Sequence, residues 1–242
     1  MNTRIYSAEL RDELLAIVRE PAALFFSILM PVGFFAMFVV MFGNEGDGMG
    51  IESIATYGAF GVMTVLMMNP GIGLADARER GWLRVQRVSG TPLGTTLLAK
   101  VTAALPYALG VLTSITAVAL GFGLFEFDVW TMTKLFVALL VGALPFSLVS
   151  LAIGAKMSPN GAAAVLNAIL FPTVIASGLW FPLEIMPEFM QNLAPYLPPY
   201  HLSQLALAQT NGGAWGGHLL YLLGTTAIAS ILAAMAYRTA RV

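Results

Sequence analysis

The sequence predicts an all-α membrane protein with six transmembrane helices, and three observations predict it. Apolar residues make up 58% of the 242-residue chain and charged residues only 10%, with a mean hydropathy of +0.80. Such a chain buries its apolar surface in lipid rather than in one globular core. Its apolar runs come close to the roughly 20 residues that a helix needs to cross a bilayer. The charges are also segregated, with eleven of the twelve Lys and Arg in segments that alternate crossing places on one side. The expected spans are 22–42, 53–74, 97–121, 133–155, 161–181 and 218–237, within a single transmembrane domain over 1–242.

Residues 1–20 carry too much charge for the apolar region of a signal peptide, so the N-terminus reads as mature. On a helix, Tyr6, Leu10, Leu14, Ile17 and Val18 share one arc, while Glu9, Asp12, Glu13, Arg19 and Glu20 share the other. This predicts an amphipathic interfacial helix lying along the membrane, with Pro21 suited to the first position of the helix that follows. Cytoplasmic loops retain positive charge. Arg4, Arg11 and Arg19 precede the first span, Lys156 lies in the fourth connection, and Arg238 and Arg241 follow the last span. The other side carries Glu45, Asp47, Glu52, Glu126, Asp128, Glu184 and Glu188, with only Lys134 basic. Both termini are therefore expected in the cytoplasm.

The connection at 76–93, DARERGWLRVQRVSGTPL, holds four arginines in ten positions. Asp76, Arg80, Arg84 and Arg87 recur at spacings that align them along one helical stripe, with Trp82 at its edge. Such a stripe fits two uses. It can serve as a topology signal that also touches anionic headgroups, or as a protein contact, since Arg and Trp are enriched at binding hot spots.

Within the spans polar residues are few. Asn69 follows Met67 and Met68 and precedes Pro70, and Asn167 lies five residues before Pro172. An amide facing hydrocarbon is costly and turns inward, either to bond a neighbouring helix or to line a path. Gly110 with Ser114, and Ala164 with Ala168, are spaced for close helix approach. Pro106, Pro145 and Pro172 are positioned to kink their helices. The segment 182–207 contains Pro182, Pro187, Pro195, Pro198 and Pro199, which excludes one continuous spanning helix, yet it keeps the apolar pattern Ile185, Met186, Phe189, Met190, Leu193. It reads as short re-entrant helices in the outer leaflet, or as a folded outer loop whose Phe189 and Tyr196 sit at headgroup level.

Two stretches carry a family resemblance. The run RERGWLRVQRVSGTPLGTTLLAK, residues 78–100, resembles the segment after the second span of ABC-2 type exporter permeases, with its Glu-Arg-Gly start, basic helix, Thr-Pro-Leu turn and Lys opening the next span. The run SGLWFPLEIMPEFMQNLAPYLPPYHLSQLAL, residues 177–207, resembles the same family's Ser-Gly, aromatic-Pro pair and proline-rich stretch before the final span. The chain thus looks like a daunorubicin- and multidrug-resistance-like permease. Residues 1–20 read either as a solvated lead-in that anchors the chain or as an elbow helix that also touches a cytoplasmic partner. The resemblance implies that 76–93 form a cytoplasmic coupling helix loop, seated on a separate ATP-binding subunit through Arg78, Glu79, Arg80, Trp82, Arg84, Arg87 and Pro92. It implies a substrate path along spans two and five with Met67, Asn69, Asn167 and Phe171. It also implies an outer gate at Trp180, Phe181, Pro182, Glu184 and Phe189. The implied assembly holds two permease copies, identical or closely related, in the cell inner membrane, with ATP and Mg on the partner subunits and no cofactor in this chain.

Other classes are less well served by the residues. The sequence contains no G-x-x-x-x-G-K-[ST] loop, so phosphate binding of the P-loop kind is not expected in it. An ion-coupled secondary transporter needs charges at mid-span or an inverted repeat. An intramembrane enzyme needs a nucleophile with a base, but Ser147 and Ser150 have no His nearby in sequence. His201 and His218, even with Glu184 and Glu188, lack the H-E-x-x-H spacing of a zinc site. There is no cysteine, which excludes disulfides, and the net charge of −1 gives no field for nucleic acid.

Overall fold

The computed structural model describes residues 3–19, 21–42, 50–83, 88, 92–124 and 128–240, and every regular element among them is helical. The helices are α1 (Thr3–Val18), α2 (Pro21–Phe42), α3 (Ile51–Glu79), α4 (Leu93–Gly121), α5 (Val129–Gly142), α6 (Leu144–Gly154), α7 (Pro159–Ala176), α8 (Glu188–Leu193), α9 (Pro198–Asn211) and α10 (Gly216–Arg238). Among the described residues, five helical stretches are long and apolar enough to cross a membrane: Ile51–Glu79, Gly94–Gly121, Val129–Gly154, Pro159–Ala176 and Gly216–Arg238. The stretch expected to span at 22–42 lies on the 22-residue α2, whose apolar part includes Ile28–Met41.

Several boundaries are set by identifiable residues. Asp128 caps α5 by accepting from the backbone N–H groups of Trp130 and Thr131, and Ser158 caps α7 by accepting from Gly161 N–H. The run expected as one helix over 133–155 is two, α5 and α6, meeting at Ala143. Pro145 is the cause: it brings no N–H, and its ring crowds the carbonyl four residues back. Pro106 and Pro172 lie inside helices that continue past them. α7 ends at Ala176, short of the expected 181, because Gly178 takes a φ of +74° and lets Leu179 N–H turn back to the Val174 carbonyl. A Cβ at Gly178 would also lie 2.6 Å from Leu183 Cγ, so both conformation and space require glycine there.

α3 is the hub of the bundle, packing on α2, α4, α6, α7 and α9. Of its apolar window 78% is buried, against 17% for α10. Glycines make this centrality possible. A Cβ at Gly61 would stand 2.4 Å from Val111 Cγ1 on α4, and one at Gly154 would stand 2.0 Å from the Gly71 carbonyl oxygen, so α3 and α6 cross with their backbones in contact. The close approaches therefore fall elsewhere than the sequence spacing suggested. Ala164 and Ala168 are exposed on α7, and a Cβ at Gly110 would meet only Ile28 Cδ1, at an ordinary 3.7 Å. Spacing identifies a small-residue face but not which faces find a partner.

Candidate coupling end and transport path

At one end of the bundle the charged residues tie helices together. Lys100, two turns into α4 and only 3% exposed, donates to Glu13 Oε1 on α1 at 2.6 Å and to the Gly73 carbonyl on α3 at 3.3 Å. A buried ammonium needs such a counter-ion. This corrects the expected placement of Glu13 on the outward arc of α1: the partly buried face runs through Tyr6, Glu9, Leu10, Glu13 and Leu14, while Val18 is exposed. Arg78, in the last turn of α3, donates through Nη1 to the Ala155 carbonyl at 3.0 Å. Lys156 donates to the carbonyl and hydroxyl of Thr239 at the end of α10.

The charged segment leaves the bundle at this end, but not as one continuous helix. α3 stops at Glu79, Arg80 forms its cap, and Gly81 adopts a φ of +76°, where L side chains are disfavoured. Asp76 and Arg80 form an exposed ion pair of 2.9 Å on the α3 side of this break. The continuous helix expected to carry the stripe is therefore interrupted at Gly81; Arg84 and Arg87 lie outside the described residues. Helix resumes at Trp82 and Leu83, Trp82 being 45% exposed. Leu83 is fully buried among Leu74, Val101, Leu151, Ala155, Ala233 and Tyr237. It anchors the segment, and the sequence reading overlooked it beside the arginines. Glu79 and Pro92 are exposed on either side of the segment.

The interior residues singled out from sequence divide. Met67 is buried in the core against neighbouring helices. Asn167, half-buried, donates Nδ2 to the Ala163 carbonyl of its own helix. Asn69 Nδ2 is buried and has no hydrogen-bond partner among the described residues. Pro70 beside it brings no N–H for the Leu66 carbonyl, so the middle of α3 holds underused polar groups in an apolar setting. Among the described residues, the two amides do not bond each other.

The opposite end is aromatic. Trp180 stacks on Phe34 with centroids 4.9 Å apart and meets Phe60 edge-on at 5.2 Å, with Phe171 at 5.8 Å. Tyr57 Oη donates to the Trp180 carbonyl, and Phe181 packs edge-on against Phe38. Three helices and the chain after α7 thus meet at Trp180, and the edge-to-face pairs add to simple burial. Pro182, Glu184 and Phe189 are exposed beyond this cluster.

The two histidines, distant in sequence, are neighbours. Their Nδ1 atoms lie 2.9 Å apart, and His201 Nε2 lies 2.9 Å from the Pro195 carbonyl. A carbonyl only accepts, so His201 carries its proton on Nε2, and between neutral rings His218 is the Nδ1 donor. His201 also stacks on Tyr221, which donates to the Tyr196 carbonyl. The pair fastens α9 and the turn before it to α10. Among the described residues no cluster of three or more metal-ligating side chains occurs.

Apolar helices of spanning length, with ionic ties gathered at one end and an aromatic cluster at the other, define a multipass membrane protein. The family pattern of the ABC-2 type transporter matches residues 6–209, and the chain belongs to that family. It is 29% identical over 211 residues to YvfS of Bacillus subtilis (strain 168), a protein named for a transport-permease role, with 84% of each chain covered. Members of this family are membrane subunits for transport and normally work with an ATP-binding subunit.

Proposed function

We propose that this chain is the membrane-spanning half of an ABC exporter, with both termini and the segment 76–93 in the cytoplasm of a plasma-membrane assembly of two permeases and two ATP-binding subunits. The observation that carries the reading is the charged segment itself. It breaks from α3 at Gly81, is anchored by Leu83 in the end of the bundle, and exposes Arg80 just before the break and Trp82 just after it. A partner that moves this segment moves α3, the helix on which most of the bundle packs. Arg80→Glu with Arg84→Glu is expected to leave the fold intact, because an exposed pair such as Asp76–Arg80 contributes at most about 1 kcal/mol. The same double reversal is expected to abolish co-purification of an ATP-binding subunit, or transport coupled to its ATP hydrolysis. Normal binding together with normal transport by the double variant would remove the assignment.

The substrate we infer is an amphipathic drug, antibiotic or lipid-like molecule moved outward past α3 and α7. The candidate wall offers methionine, aromatic rings and the unpartnered Asn69 amide, suited to a neutral acceptor on an apolar body. A strongly anionic polymer would call for arginines along this route, and Met67, Asn69, Asn167 and Phe171 supply no cation. Amphiphiles are expected to stimulate ATP hydrolysis by the reconstituted complex, with the response weakened by Asn69→Leu or Asn167→Leu. Stimulation by charged saccharides alone, or an amphiphile response unchanged in both variants, would exclude this path.

A further inference from the structure

Arg78, which the resemblance places among the contacts to the ATP-binding subunit, is turned inward, unlike the exposed Arg80. Its bond to the Ala155 carbonyl reaches the C-terminal cap of α6, where helix carbonyls lack a donor of their own. The place matters as much as the bond. Ala155 begins the short turn that leads to Ser158, the cap of α7. The next residue, Lys156, holds the end of α10 through Thr239 at 2.8 and 2.7 Å. Seven residues before Arg78, Gly71 and Gly154 bring the backbones of α3 and α6 together. Five residues after it, Leu83 is buried in the same small core as Ala155 and Leu151.

The turn at 155–158 is therefore held on one side by α3 and the charged segment, and on the other by α10. We propose that Arg78 is a positioning residue that transmits displacement of the charged segment to α7, by carrying the 155–158 turn with the end of α3. α7 is well placed to respond: little of its surface is buried, so few contacts oppose its movement, and it bears Asn167 and Phe171. Leu83 keeps the segment in place but is an apolar contact without direction. Arg78 supplies the directed link, a charge-assisted bond from a guanidinium to one particular carbonyl. The inference rests on the reading that an ATP-binding subunit acts on the segment.

The chain contains no cysteine, so a single introduced thiol reports on α7 without background from this chain, whose labelling is read on its own gel band. Asn160, exposed in the first turn of α7, suits this purpose. In complexes carrying Asn160→Cys, ATP is expected to change the rate of maleimide labelling several-fold. Adding Arg78→Gln should abolish that change while the ATP-binding subunit still co-purifies, and Arg78→Lys, which can donate to the same carbonyl, should restore part of it. An undiminished ATP response in Arg78→Gln overturns the inference, and so does loss of subunit binding, which would make Arg78 a contact residue instead. A second arm guards against a folding defect. Arg78→Cys with Met157→Cys, on the exposed part of the same turn, should lose ATP-dependent control of hydrolysis and regain it when a short bismaleimide joins the two thiols; failure to regain it counts against the link. If the wild-type chain recruits no ATP-binding subunit, the proposed function falls as well, whereas a normal response in Arg78→Gln removes only this inference.

Discussion

Gly154→Leu will prevent the bundle from assembling, and Gly154→Ala will weaken it severely. A Cβ at 154 would lie 2.0 Å from the Gly71 carbonyl oxygen and 2.8 Å from the carbonyl carbon. An ordinary carbon–oxygen approach is about 3.3 Å or more. The obstacle is backbone on a packed helix, so no side-chain rotation relieves it, and α3 and α6 must separate. Parting them also disturbs Gly71 against Ser150 and the core of Leu74, Leu151 and Ala155 just below. Overpacking in a close-packed interior costs typically about 1–3 kcal/mol, and a collision with main chain belongs at or above the upper end. Thermal unfolding and size-exclusion profiles in detergent provide the measurement. Gly224→Ala on α10, where a Cβ meets nothing within 4 Å, is the control and should melt with the wild type or slightly above it. A Gly154→Leu protein that stays monodisperse and melts like the control would show that the crossing is looser than described.

Glu13→Ala is expected to be nearly as damaging, for an electrostatic reason. It would leave the Lys100 ammonium buried, its three donors served among the described residues by the long 3.3 Å contact to the Gly73 carbonyl alone. Removing one member of a buried pair costs roughly 3–5 kcal/mol, whereas replacing both by apolar residues of similar size is often neutral. The combination Glu13→Leu with Lys100→Met should therefore recover most of the lost stability. Limited proteolysis gives a second readout: α1 should be cut readily in Glu13→Ala and be protected again in the double variant. If the double variant is no more stable than the single one, the ion pair is not what holds α1 to the bundle.

Hydropathy and charge asymmetry made the helical membrane class legible, because twenty or so apolar residues in a row have few stable destinations other than lipid. The quoted motifs made the family legible, and two of their glycines prove to be backbone requirements. Gly81 stops α3 before Trp82, and Gly178 stops α7 before Trp180. Periodicity alone over-extended the charged stripe, since a repeat of three and four residues says nothing about a left-handed glycine between Arg80 and Arg84. It also placed Glu13 outward, because the polar arc of an isolated helix ignores a lysine on another.

What the sequence determined by itself was therefore local and compositional: which stretches are apolar, where helices start and stop, and which segments carry charge. The tertiary structure alone decided which partners meet across the chain. Examples are Glu13 with Lys100, Arg78 with the Ala155 carbonyl, Gly71 with Gly154, and His201 with His218. The physical reason is that side-chain spacing along one helix fixes a face, whereas a buried charge, a carbonyl at a helix end or a close backbone crossing is satisfied by whichever other helix packing brings within about 3 Å.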